Sequence, residues 1–196
     1  MTESGDGSID LVLEAIRTRR NVREFTDRQV TLDDLKTIIE AATWAPNHRH
    51  TEPWRFIVLE KDGDVRKQVA QIVHDWTYEN IKNPNQKPRI DSSEGAKREI
   101  LDAPAFIYVF ARAGPNEEVT KENYAATACA VQNLLLAAHS LGIGVGWSTG
   151  KPCLAGVETV IGAEPDWQTV AALYIGYPSE KPEASRAPVD EVTTWL

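Results

Sequence analysis

Two short runs of almost entirely apolar residues constrain most strongly what this chain can fold into. Residues 105–111 read AFIYVFA and residues 169–175 read TVAALYI. Runs of this length suit strands better than helices, and a strand that is apolar on both sides must be covered on both faces of its sheet. A third segment, WRFIVL at residues 54–59, also reads as a strand before a turn at Asp62-Gly63. We therefore predict a buried sheet of about four strands between two layers.

Helical periodicity supplies the covering layers. A first helix is predicted from Ser8 to Arg19-Arg20, with one buried face formed by residues at i, i+3, i+4 and i+7: Ile9, Val12, Leu13 and Ile16. A second helix begins at Thr31, whose hydroxyl can cap it while Asp34 lies three positions on, and it ends at Ala45-Pro46. Further helices are predicted at about residues 64–80, 120–140 and 153–162. The helix at 120–140 is apolar on several sides, which indicates burial in the core or against another subunit.

The remaining segments are polar. Residues 1–7 are predicted to be disordered, and residues 8–196 to form a single domain of class α+β with an extended C-terminal tail from Ser179. Residues 81–95 are polar with two prolines and are interpreted as a surface loop or lid beside the substrate pocket.

Composition excludes several classes of partner. With 21 basic and 29 acidic residues the net charge is -8, so we expect neither nucleic acid nor an anionic membrane as a partner. The first ten residues are polar and acidic, and no apolar stretch approaches the roughly 18 residues of a membrane span. Two cysteines without metal or redox spacing complete a pattern that is typical of a cytoplasmic protein.

A basic cluster stands out against this acidic background. Arg17, Arg19, Arg20 and Arg23 fall within seven residues at the end of the first predicted helix. A guanidinium group offers a planar fork of donors that matches the oxygens of a phosphate. The alternative from composition alone is a solvated helix end without a ligand.

A polar loop with two histidines joins the second helix to the first strand. His48 and His50 suggest a metal site, but a catalytic zinc needs a third ligand and none has suitable spacing. The loop either exposes its histidines to water or wraps a planar ligand with short polar side chains and a backbone fixed by Pro46.

The segment Gly146-Trp147-Ser148-Thr149-Gly150 formally matches the nucleophile elbow of an α/β-hydrolase. That fold places its catalytic histidine after the serine, whereas all the histidines here precede Ser148, at positions 48, 50, 74 and 139. A serine hydrolase is therefore not supported. The glycines at 142, 144 and 146 do not form a dinucleotide-binding fingerprint either.

Taken together, these segments resemble the nitroreductase family. RRNVREF at residues 19–25 resembles its Arg-Arg-Ser-x-Arg-x-Phe opening, and residues 40–56 resemble its Ala-Pro-Ser-x-x-Asn-x-Gln-Pro-Trp segment. The long helix with LGIG at residues 141–144, and GYP at 176–178 with Arg186, follow in the family's order. The likeness covers residues 9 to about 190, and the short length and the Asn-His pair after Pro46 are similar to the compact minimal nitroreductases.

The resemblance implies a three-layer α/β/α fold with a mostly antiparallel central sheet, and a homodimer with FMN at its interface. By position, the phosphate of FMN would be held by Arg19, Arg20, Asn21 and Arg186. Arg23 would approach the pyrimidine edge of the flavin. The pocket would be completed by Trp147, Ser148 and Thr149, and from the other subunit by Pro46, Asn47, His48 and His50. Three residues depart from the family pattern: Asn21 replaces Ser, His50 replaces Asn, and Glu52 replaces Gln.

The resemblance also implies an NAD(P)H-dependent oxidoreductase without a metal. In its ping-pong cycle, NADH or NADPH gives a hydride to the flavin and leaves, and a nitroaromatic, quinone or similar planar acceptor then takes the electrons. Two alternatives stay open. Relatives with this fold remove halogens or break down flavin, and a flavin-binding module without turnover would show the same motifs.

Overall fold

The computed structural model describes residues 7–80 and 89–196. The prediction of disorder over residues 1–7 lies outside these ranges except at Gly7, where the first helix begins. Of the segment 81–95, only residues 89–95 are described.

Within the described residues, four strands form one antiparallel sheet in the order β1-β2-β4-β3. They are β1 (Trp54–Leu59), β2 (Ala105–Arg112), β3 (Gly144–Ser148) and β4 (Trp167–Gly176). The two apolar runs form β2 and β4, which lie at the centre of the sheet and are paired along their length. Strand β3 was not located by the sequence patterns, since glycines fill much of it.

Helices cover both faces of the sheet, so the three-layer α+β prediction is confirmed. On one face lie α2 (Leu32–Thr43) and α5 (Glu117–Ser140), against Ile107, Val109 and Leu173. On the other lie α3 (Asp64–Asn80) and α4 (Arg89–Asp102), against Phe106, Tyr108 and Tyr174. Alternate residues of β2 point to opposite faces of the sheet, and all of them are buried except the last, Arg112. Both faces of the sheet are therefore covered, as the apolar run requires.

The predicted cap of the second helix is present. Thr31 accepts a hydrogen bond from the backbone N–H of Asp34, and the Asp34 carboxylate accepts one from the backbone N–H of Thr31. This reciprocal arrangement satisfies two donors that a helix start would otherwise leave unpaired. It fixes where α2 begins and so where the following polar loop leaves the helix layer.

The first helix, α1 (Gly7–Thr18), forms where it was predicted, but the prediction of a buried face is wrong for the single chain. Its apolar side chains are exposed to between 42% and 65%: Leu11, Val12, Leu13 and Ile16. The apolar periodicity is present in the sequence, but in one copy of the chain none of the described elements covers these side chains.

Three further differences concern segment ends. Residues 89–95 belong to α4, so the loop predicted for 81–95 is wrong for that part; Ala96 and Ile100 give α4 a buried side that its polar composition conceals. The helix predicted near 153–162 is two single turns, α6 (Lys151–Leu154) and α7 (Glu158–Ile161), separated by Gly156 at φ 73°. The tail after Ser179 is extended up to one exposed turn, α8 (Val189–Val192).

Among the described helices, none has the length and hydropathy needed to cross a bilayer.

Candidate functional site

The arginine-rich segment docks along the edge of the sheet beside β3. Asn21 forms a parallel bridge with Val145, and the N–H of Val22 donates to the Val145 carbonyl at 3.1 Å. Gly146 allows this approach, because a Cβ there would collide with the Val22 carbonyl oxygen and lie 2.7 Å from Arg23 Cδ. The glycines of this strand therefore serve close backbone contact.

Arg19 lines a cavity of about 480 Å³ between the end of α1, the end of α5 and the residues after β4. Its lining is apolar and basic, with one acidic residue, Glu180, and it includes Thr18, Val22, Leu135, His139, Ile143 and Lys181. The Nε of Arg19 is buried without a hydrogen-bond partner among the described residues. Burial lowers the pKa of Arg19, and the guanidinium groups of Arg186 and Arg20 lower it further. A buried cationic donor that lacks a partner is what an anion would satisfy.

Arg20 is committed to the backbone. Its guanidinium donates to the carbonyls of Pro182 at 3.0 Å, Arg17 at 2.7 Å and Arg19 at 2.9 Å. Arg186 donates to the Ser185 carbonyl at 2.7 Å and, with Arg20, lines a smaller cavity of about 240 Å³. The structure therefore brings together the three predicted arginines, with Arg20 joining the C-terminal tail to the end of α1.

Asn21 also has a backbone partner. Its Oδ1 accepts a hydrogen bond from the N–H of Trp147 at 2.6 Å. This contact holds the end of β3, where Trp147, Ser148 and Thr149 follow one another. The indole Nε1 of Trp147 is buried, and the part of the chain that the structure describes offers it no acceptor. The end of β3 and the arginine segment are thus in direct contact.

Two residues at the basic cavity were missed by the sequence patterns, His139 and Lys181. His139 Nε2 lies 2.9 Å from the Thr18 hydroxyl. Burial lowers the pKa of His139, with additional lowering by Arg19, Lys181 and Arg20. Neither residue lies near Arg19 and Arg20 in sequence. Only the return of α5 and of the chain after β4 brings His139 and Lys181 to this cavity.

Arg23 points away from this cavity, toward α4. Its Nη1 lies 3.2 Å from Glu99 Oε2, and its guanidinium carbon lies 4.1 Å from the centre of the Tyr174 ring. Burial raises the pKa of Tyr174 to about 12, although Arg23 acts in the opposite direction. Tyr174 is therefore a neutral aromatic surface for the arginine at ordinary pH. Glu99 was missed because the sequence patterns placed nothing from α4 beside Arg23.

The loop with Pro46, Asn47, His48 and His50 lies elsewhere in the fold. Its first three residues line a separate cavity of about 350 Å³ with Ala126 and Cys129 of α5, and His50 does not line it. None of the four lines the cavity of Arg19. His48 Nδ1 lies 3.1 Å from Glu122 Oε1. Within one chain, therefore, the predicted site divides into two groups.

The backbone of this loop is strained. Arg49, His50 and Glu52 have φ angles of 56°, 53° and 42°, which residues other than glycine seldom adopt. Asn47 holds the loop by accepting the N–H of Glu52 at 3.0 Å, while the Glu52 side chain is exposed. Strain of about 1–3 kcal/mol per residue is usually retained at sites that bind ligands or partners. In the described ranges, no cluster of three His, Cys, Asp or Glu side chains could hold a metal ion.

The donor set fits an anionic, planar cofactor. The unpartnered Nε of Arg19, with Arg20, Arg186 and Lys181 around it, offers charge-assisted hydrogen bonds to a phosphate. Four buried side-chain atoms have no hydrogen-bond partner among the described residues. Two of them, Arg19 Nε and Trp147 Nε1, belong to residues predicted to hold FMN; the other two are Thr51 Oγ1 and Thr77 Oγ1.

The chain is similar to known proteins of one family. The family model described as "Nitroreductase family" matches residues 16–177. A putative NAD(P)H nitroreductase, YfhC, of Bacillus subtilis is 31% identical over 187 residues, covering 93% of both proteins. Human iodotyrosine deiodinase 1 is 28% identical over 91% of this chain and 66% of its own length. The crystal structure of a putative nitroreductase in complex with FMN, from Desulfovibrio desulfuricans, is 28% identical with a TM-score of 0.74, covering 100% of this chain and 98% of that one.

Proposed function

This chain belongs to the nitroreductase family, and from that premise we propose that it is an FMN-dependent oxidoreductase that passes electrons from NADH or NADPH to a planar acceptor such as a nitroaromatic or a quinone. One observation carries the proposal most directly. Arg19 lines a basic cavity and has a buried guanidinium nitrogen that lacks a hydrogen-bond partner among the described residues. The FMN-bound structure of a relative that spans the whole chain supports the choice of cofactor.

The phosphate of FMN is assigned to the basic cavity. Arg19 would contact it, and Lys181 and the nearby Arg186 would add positive charge. Arg20 and Asn21 also bond to the tail and to β3, so part of their role would be to fix the segment that carries Arg19. His139 also lines the cavity.

The flavin ring is assigned to the end of β3. When bound, FMN supplies the redox chemistry, accepting a hydride from a nicotinamide and releasing electrons to the acceptor. Arg23 would face the pyrimidine edge and favour the negative charge that gathers there on reduction. Trp147, Ser148 and Thr149 would line one side of the ring, and the indole N–H of Trp147 is free to donate.

A second copy of the chain would complete the site. The apolar stripe of α1 is exposed in one copy, and the strained loop of Pro46, Asn47, His48 and His50 lines a different cavity from Arg19. A homodimer would cover the stripe and bring this loop over the flavin held by its partner. Both features support the dimeric arrangement that the resemblance implies.

An absorption experiment tests the proposal. The freshly purified protein, or the protein after addition of FMN and removal of the excess, should show a bound flavin spectrum. Under anaerobic conditions NADH or NADPH should bleach that spectrum, and a nitroaromatic or quinone should restore it. A protein that retains no FMN would contradict the proposal, and bound FMN that neither nucleotide reduces would indicate a flavin-binding module without turnover.

Reductive dehalogenation is the second candidate. The identity of 28% with human iodotyrosine deiodinase 1 over 91% of the chain favours it specifically. Iodide release from 3-iodotyrosine, with dithionite as the reductant of the loaded protein, distinguishes it from nitroreduction. Iodide release at a rate above that of nitroaromatic reduction would make dehalogenation the better assignment.

A further inference from the structure

Arg23 is held by contacts on three sides. Its aliphatic stem passes over Gly146, its guanidinium lies on the ring of Tyr174, and its Nη1 meets Glu99 at 3.2 Å. The side chain of Arg23 is 32% exposed, so part of it is accessible to a ligand while its position is set by strands and helix together. A group fixed in this way can exert a defined field on a ligand beside it.

Glu99 is itself on an anchored part of α4. The buried guanidinium of Arg66 donates to the Ile100 carbonyl at 2.8 and 2.6 Å, and to the carbonyl of Ala103. Lys61 Nζ donates to the carbonyls of Leu101 and Asp102, each at 2.6 Å. These bonds fix the last turn of α4, and with it the carboxylate that faces Arg23.

Other charged groups surround this ion pair. Glu24, Arg98 and Asp102 line an open cavity of about 460 Å³ with Arg23 and Glu99. Of these, the Glu99 carboxylate is the one that the structure pairs directly with the guanidinium of Arg23. The charge that Arg23 can direct at a ligand is therefore shared with Glu99.

We propose that Glu99 is a positioning and charge-balancing residue that keeps the reduction potential of bound FMN lower than Arg23 alone would set it. This inference rests on the proposed function, because it needs FMN beside Arg23. Reduction places negative charge on the pyrimidine side of the flavin, and a cation there favours the reduced form. A carboxylate paired with that cation weakens its preference for the reduced flavin. It does so either by screening the positive charge or by competing with the flavin for hydrogen bonds from the guanidinium.

The potential of FMN in the Glu99→Gln variant tests this inference. Neutralising Glu99 should raise the affinity for reduced FMN relative to oxidised FMN by about 1.5-fold to fivefold, the range expected for a partly exposed ion pair. For a two-electron couple that ratio corresponds to a potential about 5 to 20 mV more positive. The measurement is a spectroscopic redox titration of the FMN-loaded variant beside the unmodified protein.

Glu94→Gln is a matched control in the same helix. Glu94 and Glu99 are both 49% exposed, and each has an ion-pair partner at 3.2 Å, which for Glu94 is Nε2 of His74. Glu94→Gln should leave the potential unchanged. A positive shift of equal size in both variants would overturn the inference, since a general change of charge or of α4 would then explain it.

The Arg23→Gln background separates action through Arg23 from a direct effect. There the additional change Glu99→Gln should shift the potential much less than it does in the unmodified protein. A potential that does not rise in Glu99→Gln, or a rise that is the same without Arg23, overturns the inference while leaving FMN binding and the proposed function intact. Failure of the unmodified protein to bind FMN would overturn both.

Discussion

At the scale of single residues, side chains of one type and one sequence cluster have separate tasks. Arg19 has a buried nitrogen without a partner among the described residues, Arg20 donates from Nε and Nη1 to three backbone carbonyls, and Arg23 turns toward Glu99 and Tyr174. The spacing of the cluster predicts a basic site, but it does not distinguish the arginine that is available to an anion from the one that is structural.

Replacing Arg19 with alanine should weaken FMN binding roughly tenfold or more, because a charge-assisted hydrogen bond contributes about 1.5–3 kcal/mol. Quenching of flavin fluorescence during titration of the flavin-free protein measures the change. Lys36→Ala removes the same charge from an exposed position of α2 and should leave the affinity as it is. Unaltered affinity in Arg19→Ala would show that the phosphate lies elsewhere.

Arg23→Gln should lower the reduction potential of bound FMN by about 30 mV or more, which is at least a tenfold loss of preference for the reduced form. The physical reason is the loss of a fixed positive charge beside the developing anion. A redox titration of the loaded variant measures it. An unchanged potential with full flavin occupancy would remove Arg23 from the flavin.

At the scale of elements, the arginine segment depends on the strand beside it. Gly144 and Gly146 give β3 a surface without side chains, and Val22 packs directly on it. The sequence patterns showed these glycines but could not say what approaches them. The reason is that the contact joins residues more than a hundred positions apart.

Gly146→Ala should displace the arginine segment, because the new methyl group would overlap the Val22 carbonyl and crowd Arg23. We expect a loss of about 1–3 kcal/mol in the free energy of unfolding, as for overpacking in a core, together with weaker FMN binding. Chemical denaturation and flavin titration measure the two effects.

Gly95→Ala is the control for that substitution. A Cβ at Gly95 meets nothing within 4 Å, and alanine is favoured over glycine inside a helix by about 1 kcal/mol. Gly95→Ala should therefore leave the protein equally or more stable. If Gly146→Ala were equally harmless, the close approach of strand and segment would not matter for the site.

At the scale of the whole molecule, we propose that one chain forms only part of the site. An exposed apolar stripe on α1 is formed by Val12, Leu13 and Ile16. The strained histidine loop lies at a cavity of its own. Such a stripe on an otherwise charged surface is typical of a protein interface.

If the proposed dimer forms, Leu13→Glu should convert it into single chains of 21.8 kDa and remove FMN with it, since a charge within an apolar interface remains unpaired. Light scattering after size exclusion measures the mass. Val65→Glu introduces the same charge at a position of α3 with similar exposure, 41% against 42% for Leu13, and should leave mass and flavin unchanged. Unmodified protein that runs as a single chain while holding FMN would contradict the dimer.

The sequence by itself determined the elements and the family. Apolar runs, helical periodicity and the capping pair Thr31-Asp34 are local patterns, and local patterns follow from the spacing of side chains along one strand or helix. They predicted β1, β2, β4, α2, α3 and α5, and the basic segment at the end of α1. They missed the buried side of α4, whose polar surface dominates its composition.

Tertiary structure alone decided which atoms are free to act. Three residues lie beside the arginine segment only because distant parts of the chain return to it. They are His139 of α5, Lys181 after β4, and Glu99 of α4. Whether a guanidinium nitrogen finds a hydrogen-bond acceptor in the protein depends partly on residues that are distant in sequence. Arg20 donates to the Pro182 carbonyl, whereas Arg19 Nε has no partner among the described residues. Hydrogen bonds and fields act through space over a few ångströms, and no spacing along the chain encodes those distances.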